Sequence, residues 1–254
     1  MRKPLFFLIL GLGLIFLGTG LAQEDQIEKA KIFEEEYPLI SESDLYCSIY
    51  ILDGALPGIK IIGAERQEEK ILLSDADKFY IDKGKADGLE IGQVFLIVGV
   101  GPKIMGYGNL ISKTGLARII GLEENRGIVR VEKTCGQVLV GYDLVPFEEK
   151  EGMLGKDEGY AQELDETQGT IASLIFIQTE LHIAGTGQWA IIDMGKNTGI
   201  RVGQQMTIFK RVKKGVPREA IGSLIVIDVQ EKTSTVKLLS CRDAVEVGFE
   251  VQTR

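Results

Sequence analysis

The sequence predicts an all-β protein: two tandem small β-barrel domains related by an internal repeat, with an N-terminal signal peptide and one short helix. Three observations carry this expectation. Short β-branched runs with alternating apolar positions recur along the chain, punctuated by glycine turns. The stretch GKADGLEIGQ, Gly84 to Gln93, returns about 111 residues later as GKNTGIRVGQ, Gly195 to Gln204. No long helical pattern separates the strands, and many short strands at regular spacing argue a small barrel or sandwich for each unit.

The chain opens with Met1-Arg2-Lys3-Pro4, an apolar run from Leu5 to Leu17, and Gly18-Thr19-Gly20-Leu21-Ala22 before Glu24-Asp25. A basic start, an apolar middle and small residues at Gly20 and Ala22 read as a secretory signal peptide over 1–22, cut after Ala22. The competing reading is an uncleaved anchor, since roughly 18 apolar residues just span a bilayer. No Cys stands near the cut, which argues against lipid modification. Residues 23–43 read as a short helix and linker. Asp25 to Tyr37 carries a thin apolar stripe of Ile27, Ala30 and Phe33, and about three turns are marginal alone.

The whole chain has a formal charge of −8. Cleavage would remove Arg2 and Lys3, leaving 27 basic against 37 acidic residues and a charge of −10. So acidic a chain is a poor partner for nucleic acid or an anionic lipid surface. The expectation is an exported protein, periplasmic or secreted, with no stable membrane insertion after cleavage. Of the three cysteines, Cys47, Cys135 and Cys241, one pair plus a free thiol is the arithmetic expectation outside the cytoplasm. Cys47 and Cys135 flank the first repeat, and joining them would close a loop of roughly 90 residues. Three unpaired, buried cysteines remain the alternative. With no Cys-x-x-Cys and His182 as the only histidine, zinc and thioredoxin-like sites are excluded.

The first barrel is expected over 44–147 and the second over 167–254. Strand patterns run over 48–52, 59–62, 94–98, 115–122, 128–131, 170–177, 207–209, 221–229 and 235–239. Asn125-Arg126-Gly127 reads as a hairpin loop with glycine in the left-handed position. Laying Phe79–Gly84 on Ala190–Gly195 matches Lys85 to Lys196, Gly88 to Gly199, Gly92 to Gly203 and Gln93 to Gln204. After a four-residue shift, Gly115 meets Gly222, Val129 meets Val236 and Gly141 meets Gly248. Between the units, 148–166 is acidic and glycine-interrupted, and reads as a solvated linker.

The glycine-rich turns are the first candidates for chemistry. A phosphate loop needs Gly-x4-Gly-Lys-Ser/Thr followed by a helix. Gly84-Lys85 and Gly195-Lys196 are followed by Ala86 and Asn197, lack the earlier glycine and lead into strands. Gly185-Thr186-Gly187-Gln188-Trp189-Ala190 imitates a dinucleotide fingerprint but also runs into a strand. There is no Gly-x-Ser-x-Gly elbow, and His182 lies on an alternating strand. Asp75 and Asp77 lack a third oxygen ligand at Phe79 and read as turn caps. Trp189 and Tyr80 read either as barrel aromatics or as a sugar-stacking face. No cofactor, metal or catalytic residue is expected.

Instead, the pattern apolar-x-Ile/Val-Gly-x-x-apolar occurs four times, with its glycine at Gly92, Gly141, Gly203 and Gly248. Its expected role is a joint steering the chain into a barrel strand. The first two apolar residues would bury under the barrel lid, and each glycine would take a backbone angle closed to other residues. Gly84, Gly88, Gly195 and Gly199 would shape the turn before it. Asp82 and Asp193 would accept from turn amides.

This order of strand, Gly-Lys-x-x-Gly-apolar-x-Ile/Val-Gly, strand and hairpin resembles the C-terminal barrel domain of the bacterial flagellar assembly protein T family. It is more loosely similar to the β-barrels of the rod-shape-determining protein C family. The resemblance covers about 79–145 and 190–254 and implies an exported, non-catalytic cell-envelope module that assembles with other proteins. Other domains of the first family and the coiled coil of the second are not evident, and no functional residue carries over. The alternative is a secreted carbohydrate-binding protein or glycan hydrolase with a site between the barrels.

Overall fold

The computed structural model describes residues 36–65, 69–147, 149, 151–161, 165, 169–178, 183–211 and 217–253. The signal segment, His182 and nearly all of the expected helix lie outside them. Tyr37, the last residue of that expected helix, opens a strand instead.

In chain order the elements begin with β1 (Tyr37–Ile40), α1 (Glu42–Cys47), β2 (Ile49–Leu52), β3 (Ile59–Ala64), β4 (Leu72–Leu73) and β5 (Lys78–Ile81). They continue with β6 (Val94–Ile104), β7 (Gly108–Leu122), β8 (Gly127–Thr134), β9 (Val138–Leu139), β10 (Asp143–Pro146) and β11 (Met153–Gly155). The second unit holds β12 (Ile171–Ile177), β13 (Ile183–Ala184), β14 (Trp189–Ile192), β15 (Gln205–Lys210), β16 (Glu219–Val229), β17 (Ser234–Cys241), β18 (Val245–Glu246) and β19 (Glu250–Thr253).

Two closed six-stranded barrels result. The first runs β3-β5-β8-β7-β6-β10 and closes by pairing β10 with β3. The second runs β12-β14-β17-β16-β15-β19 and closes by pairing β12 with β19. The circular orders are the same, so the internal repeat is a repeat of topology. Closure leaves the barrel strands without free edges.

Alternation fills the interiors. Phe79, Ile81, Phe95, Ile97, Ala117, Ile119, Val129, Val131 and Leu144 form the first core. At matching positions Ala190, Ile192, Met206, Ile208, Leu224, Val226, Val236, Leu238 and Val251 form the second. The copies trade volume: Ala190 replaces Phe79 while Leu224 replaces Ala117. Such compensated exchange keeps a core filled at one backbone geometry.

Four features depart from the sequence expectation. Gly127 is the first residue of β8, and its backbone is not left-handed. A Cβ there would lie 2.7 Å from the Ile81 side chain and 3.2 Å from the Lys83 carbonyl, so close approach selects glycine. The acidic 148–166 segment is not free chain. Its Met153–Gly155 pairs with β1, and Glu158 N donates to Gln205 Oε1 on the second barrel at 3.0 Å. The helix observed is α1, six residues long and opened by a capping box between Ser41 and Asp44. Finally, β6 and β7 extend well beyond their predicted ends, and β2 adds to β7 outside the barrel.

Candidate functional site

The glycine joints take their shape from strand direction. β6 and β10 are antiparallel neighbours, with Asp143 opposite Val98 and Pro146 opposite Phe95. The joint before β6 and the joint before β10 therefore lie at opposite ends of one barrel. β15 and β19 repeat this, with Met206 opposite Thr253. Four joints close the four ends of two barrels.

Positive φ is adopted by Gly88 (80°), Gly92 (91°), Gly141 (96°), Gly199 (78°), Gly203 (87°) and Gly248 (92°). At Gly92 a Cβ would meet nothing within 4 Å, so only the backbone angle demands glycine there. Gly84 is different. Its φ is an ordinary −143°, but a Cβ would lie 2.5 Å from the Arg126 amide nitrogen and the Glu124 carbonyl oxygen. Gly195 meets the Glu231 and Gln230 carbonyls in the same way. The turn is pressed against the hairpin of the adjacent strands.

That contact answers the phosphate-loop question. Lys85 N donates to Glu123 O at 3.0 Å and Ala86 N to Glu124 O at 2.9 Å. In the second copy Lys196 N donates to Gln230 O at 3.0 Å. Amides that would cradle an anion are taken by the hairpin. Gly84 N donates to Asp87 Oδ2 at 3.0 Å. This amide first, and Lys83 second, hold the Asp87 carboxyl below its usual range. The matching glutamines also gain a reason: Gln93 Oε1 accepts from Glu90 N and Gln204 Oε1 from Arg201 N.

Two details of the joint differ from expectation. The first apolar residue packs on the barrel core (Leu89, Val138, Ile200, Val245), but of the second residues only Val140 packs on it, and that partly. Ile91, Val202 and Val247 are exposed and Val140 is half-buried. The reason is a tight turn: Gln93 N donates to Glu90 O at 3.3 Å, Gln204 N to Arg201 O at 3.2 Å and Phe249 N to Glu246 O at 3.3 Å, so the second apolar residue and the positive-φ glycine are the two central turn residues, and the former projects outward. Asp82 and Asp193 accept from the neighbouring strand rather than from a turn, at Lys60 N (2.7 Å) and Ser173 N (2.6 Å). Asp77 does cap its turn, accepting from Ser74 N at 2.7 Å.

The second constellation is the seam between the barrels, built by α1 and β2. Asp44, 4% exposed, accepts from Trp189 Nε1 at 2.9 Å and from Lys237 Nζ at 2.7 Å, both on the second barrel. It also accepts from Ser41 N and Ser41 Oγ at 2.8 Å. Burial pushes its carboxyl pKa up, but these donors, Lys237 foremost, outweigh burial and hold it below the usual value. Thr235 Oγ1 donates to Ile49 O at 2.5 Å. Lys113 Nζ, on a side chain 7% exposed, donates to Asp228 Oδ2 and Leu45 O at 3.0 Å and to Ser48 Oγ at 3.3 Å. Apolar packing joins Ile49, Ile51 and Leu110 to Ile191, and Leu39 and Ile40 to Ile225 and Ile227. Residues 35–254 accordingly form one compact unit.

Cys47, the last residue of α1, is bonded to Cys135 just past β8, which ties the seam helix to the first barrel. Cys241 is a free, half-buried thiol, and burial pushes its pKa up to about 11. Trp189 is held in the seam, and Tyr80 lies under the Arg126 guanidinium, so the two aromatics do not form one stacking face. Among the described residues no three His, Cys, Asp or Glu are grouped to hold a metal ion, and no helix is long and apolar enough to cross a membrane. Among the described residues the carboxyls with displaced pKa, Asp44, Asp53, Asp77, Asp87 and Asp243, are all lowered, opposite to what a general acid requires. No known protein-family model matches the chain, and no curated protein matches its sequence.

Sequence reasoning missed Asp44, Lys113, Lys237 and Asp228. Ser41-x-x-Asp44 was the available signal, a capping pattern ahead of Leu45 and Tyr46.

Proposed function

We propose that this is an exported, non-catalytic cell-envelope protein that acts as a rigid scaffold for other proteins. One observation carries the reading: apolar side chains left exposed around a joint that the fold has otherwise consumed. Ile62, Ile71 (67% exposed) and Leu72 flank the Val138–Gly141 joint of the first barrel. Val140 N donates to Ile71 O, Gly141 N donates to Ile61 O, and Leu72 pairs with Leu139, which gathers these residues at one barrel end. An apolar group of this kind suits a protein contact. The acidic charge, the secretory leader pattern and the likeness of the joints to the flagellar assembly protein T barrel support the same reading. Nucleic acid is not an expected partner.

The test is affinity capture from the envelope fraction of the producing cells with the wild-type chain and with Ile71→Asp, followed by identification of bound proteins. A defined protein set held by wild type and lost with the variant is expected. Recovery of glycan alone, or a protein set unchanged by the variant, would overturn the proposal.

A further inference from the structure

Between the barrels lies a cavity of about 550 Å3, roofed by the β1–β11 ribbon. Its walls are mainly apolar: Ile40, Leu52, Leu96, Val145, Phe147 and Ile227 all line it. The volume falls within the roughly 300–1,000 Å3 range of small-molecule sites. Val202, 48% exposed, and Met153, 38% exposed, stand on its lining and leave apolar surface open to solvent.

The polar groups are few and unequal. Lys113 is spent on Asp228, Leu45 O and Ser48 Oγ. Asp228 is spent on Lys113 and on Gln230 Nε2, which donates to its Oδ1 at 3.2 Å. Glu151 adds a negative charge to the lining. Tyr50 is the exception. It lines the cavity, is only 8% exposed, and its hydroxyl makes no hydrogen bond among the described residues. Burial first, and the Asp228 charge second, push its pKa up to about 12, so the phenol stays a donor at any working pH. Thr207 Oγ1 is the one fully buried side-chain polar atom without a partner among the described residues, so the Tyr50 hydroxyl keeps some accessible surface and is open to an outside acceptor.

We propose that this seam cavity binds the alkyl or acyl chain of a neutral amphiphile, whose polar head accepts a hydrogen bond from Tyr50. The wall selects an apolar chain. The Tyr50 donor selects an acceptor, and the absence of an unspent cation on the described lining, beside Glu151 and Asp228, disfavours a carboxylate. The site is distinct from the apolar barrel end invoked for protein contact, so either reading can fail without the other.

The test is calorimetric titration of the full mature chain with dodecanol, dodecanoate and dodecane sulfonate as probes. Saturable binding of dodecanol with one site per chain, at least tenfold tighter than either anion, is expected. Tyr50→Phe should weaken dodecanol at least fivefold. Val202→Trp adds bulk at a half-exposed position on the cavity lining, so it spares the core and should abolish binding with the circular dichroism spectrum unchanged. Dodecanol that does not bind, anions that bind as well, or binding indifferent to both variants would overturn the proposal.

Discussion

Replacing Asp44 by Ala should loosen the two barrels from each other. The carboxylate does two jobs. It completes the Ser41 capping box of α1, worth about 1 kcal/mol. It also accepts from Lys237 Nζ and Trp189 Nε1 across the seam. Breaking a buried pair costs about 3–5 kcal/mol, because the remaining partner is left uncompensated. The Lys237 side chain is 17% exposed and can recover some water, which places its share near the bottom of that range. The total expected for Asp44→Ala is about 3–4 kcal/mol. Asp44→Asn keeps an acceptor for Trp189 and should cost less, about 1–2 kcal/mol. The assay is urea unfolding at neutral pH, followed by fluorescence of Trp189, the only tryptophan, which sits in the seam. The folded carboxyl is depressed, so its contribution is full above the unfolded value of about 3.9 and is lost as pH falls through the lower folded value. The gap between wild type and Asp44→Asn should therefore shrink in acid. A loss below about 1 kcal/mol, or equal losses for Ala and Asn, would refute the seam account.

Gly92→Val should lower stability by about 1–3 kcal/mol through its φ of 91° alone, since no atom crowds the new side chain; an unchanged melting temperature would sink the joint reading. Gly84→Ala should reach the top of the same range by forcing the Glu123–Arg126 turn outward, with hydrogen exchange rising at the Lys85 and Ala86 amides. Removing the disulfide by Cys47→Ala with Cys135→Ala should cost about 4–5 kcal/mol, from an 88-residue separation in the chain-entropy model, read by urea unfolding. The Cys241 thiol, with its pKa pushed up to about 11, should react with a disulfide reagent at pH 8 far more slowly than a free thiol, and speed up only on unfolding.

The barrels were legible because their determinants are local and written twice. Alternation at Phe79–Ile81 and Ala190–Ile192 gives the inward face, and the glycine spacing marks the joint at each barrel end. The seam was not legible. Its partners are distant in sequence, with Asp44 and Lys237 separated by 193 residues, and α1 is too short to show periodicity. The ribbon of β1 and β11 hid for the same reason: three or four residues without alternation carry no strand signal until a partner pairs with them. The wrong reason assigned to Gly127 shows a further limit. Composition marks where glycine is needed, but whether a dihedral or a neighbouring side chain demands it is decided in three dimensions. The exposed second apolar residue of the joint, as at Ile91, follows from the tight turn closed by Gln93 N on Glu90 O, which a motif alone does not display.

Two copied barrels are locked by α1 and β2 into one mechanical unit. Coincidence of unfolding transitions tests it most directly. Trp189 fluorescence reports the seam and far-ultraviolet circular dichroism reports both barrels, and the two should trace a single urea transition with one midpoint. A seam transition completed at lower urea, with the barrel signal still native, would contradict it.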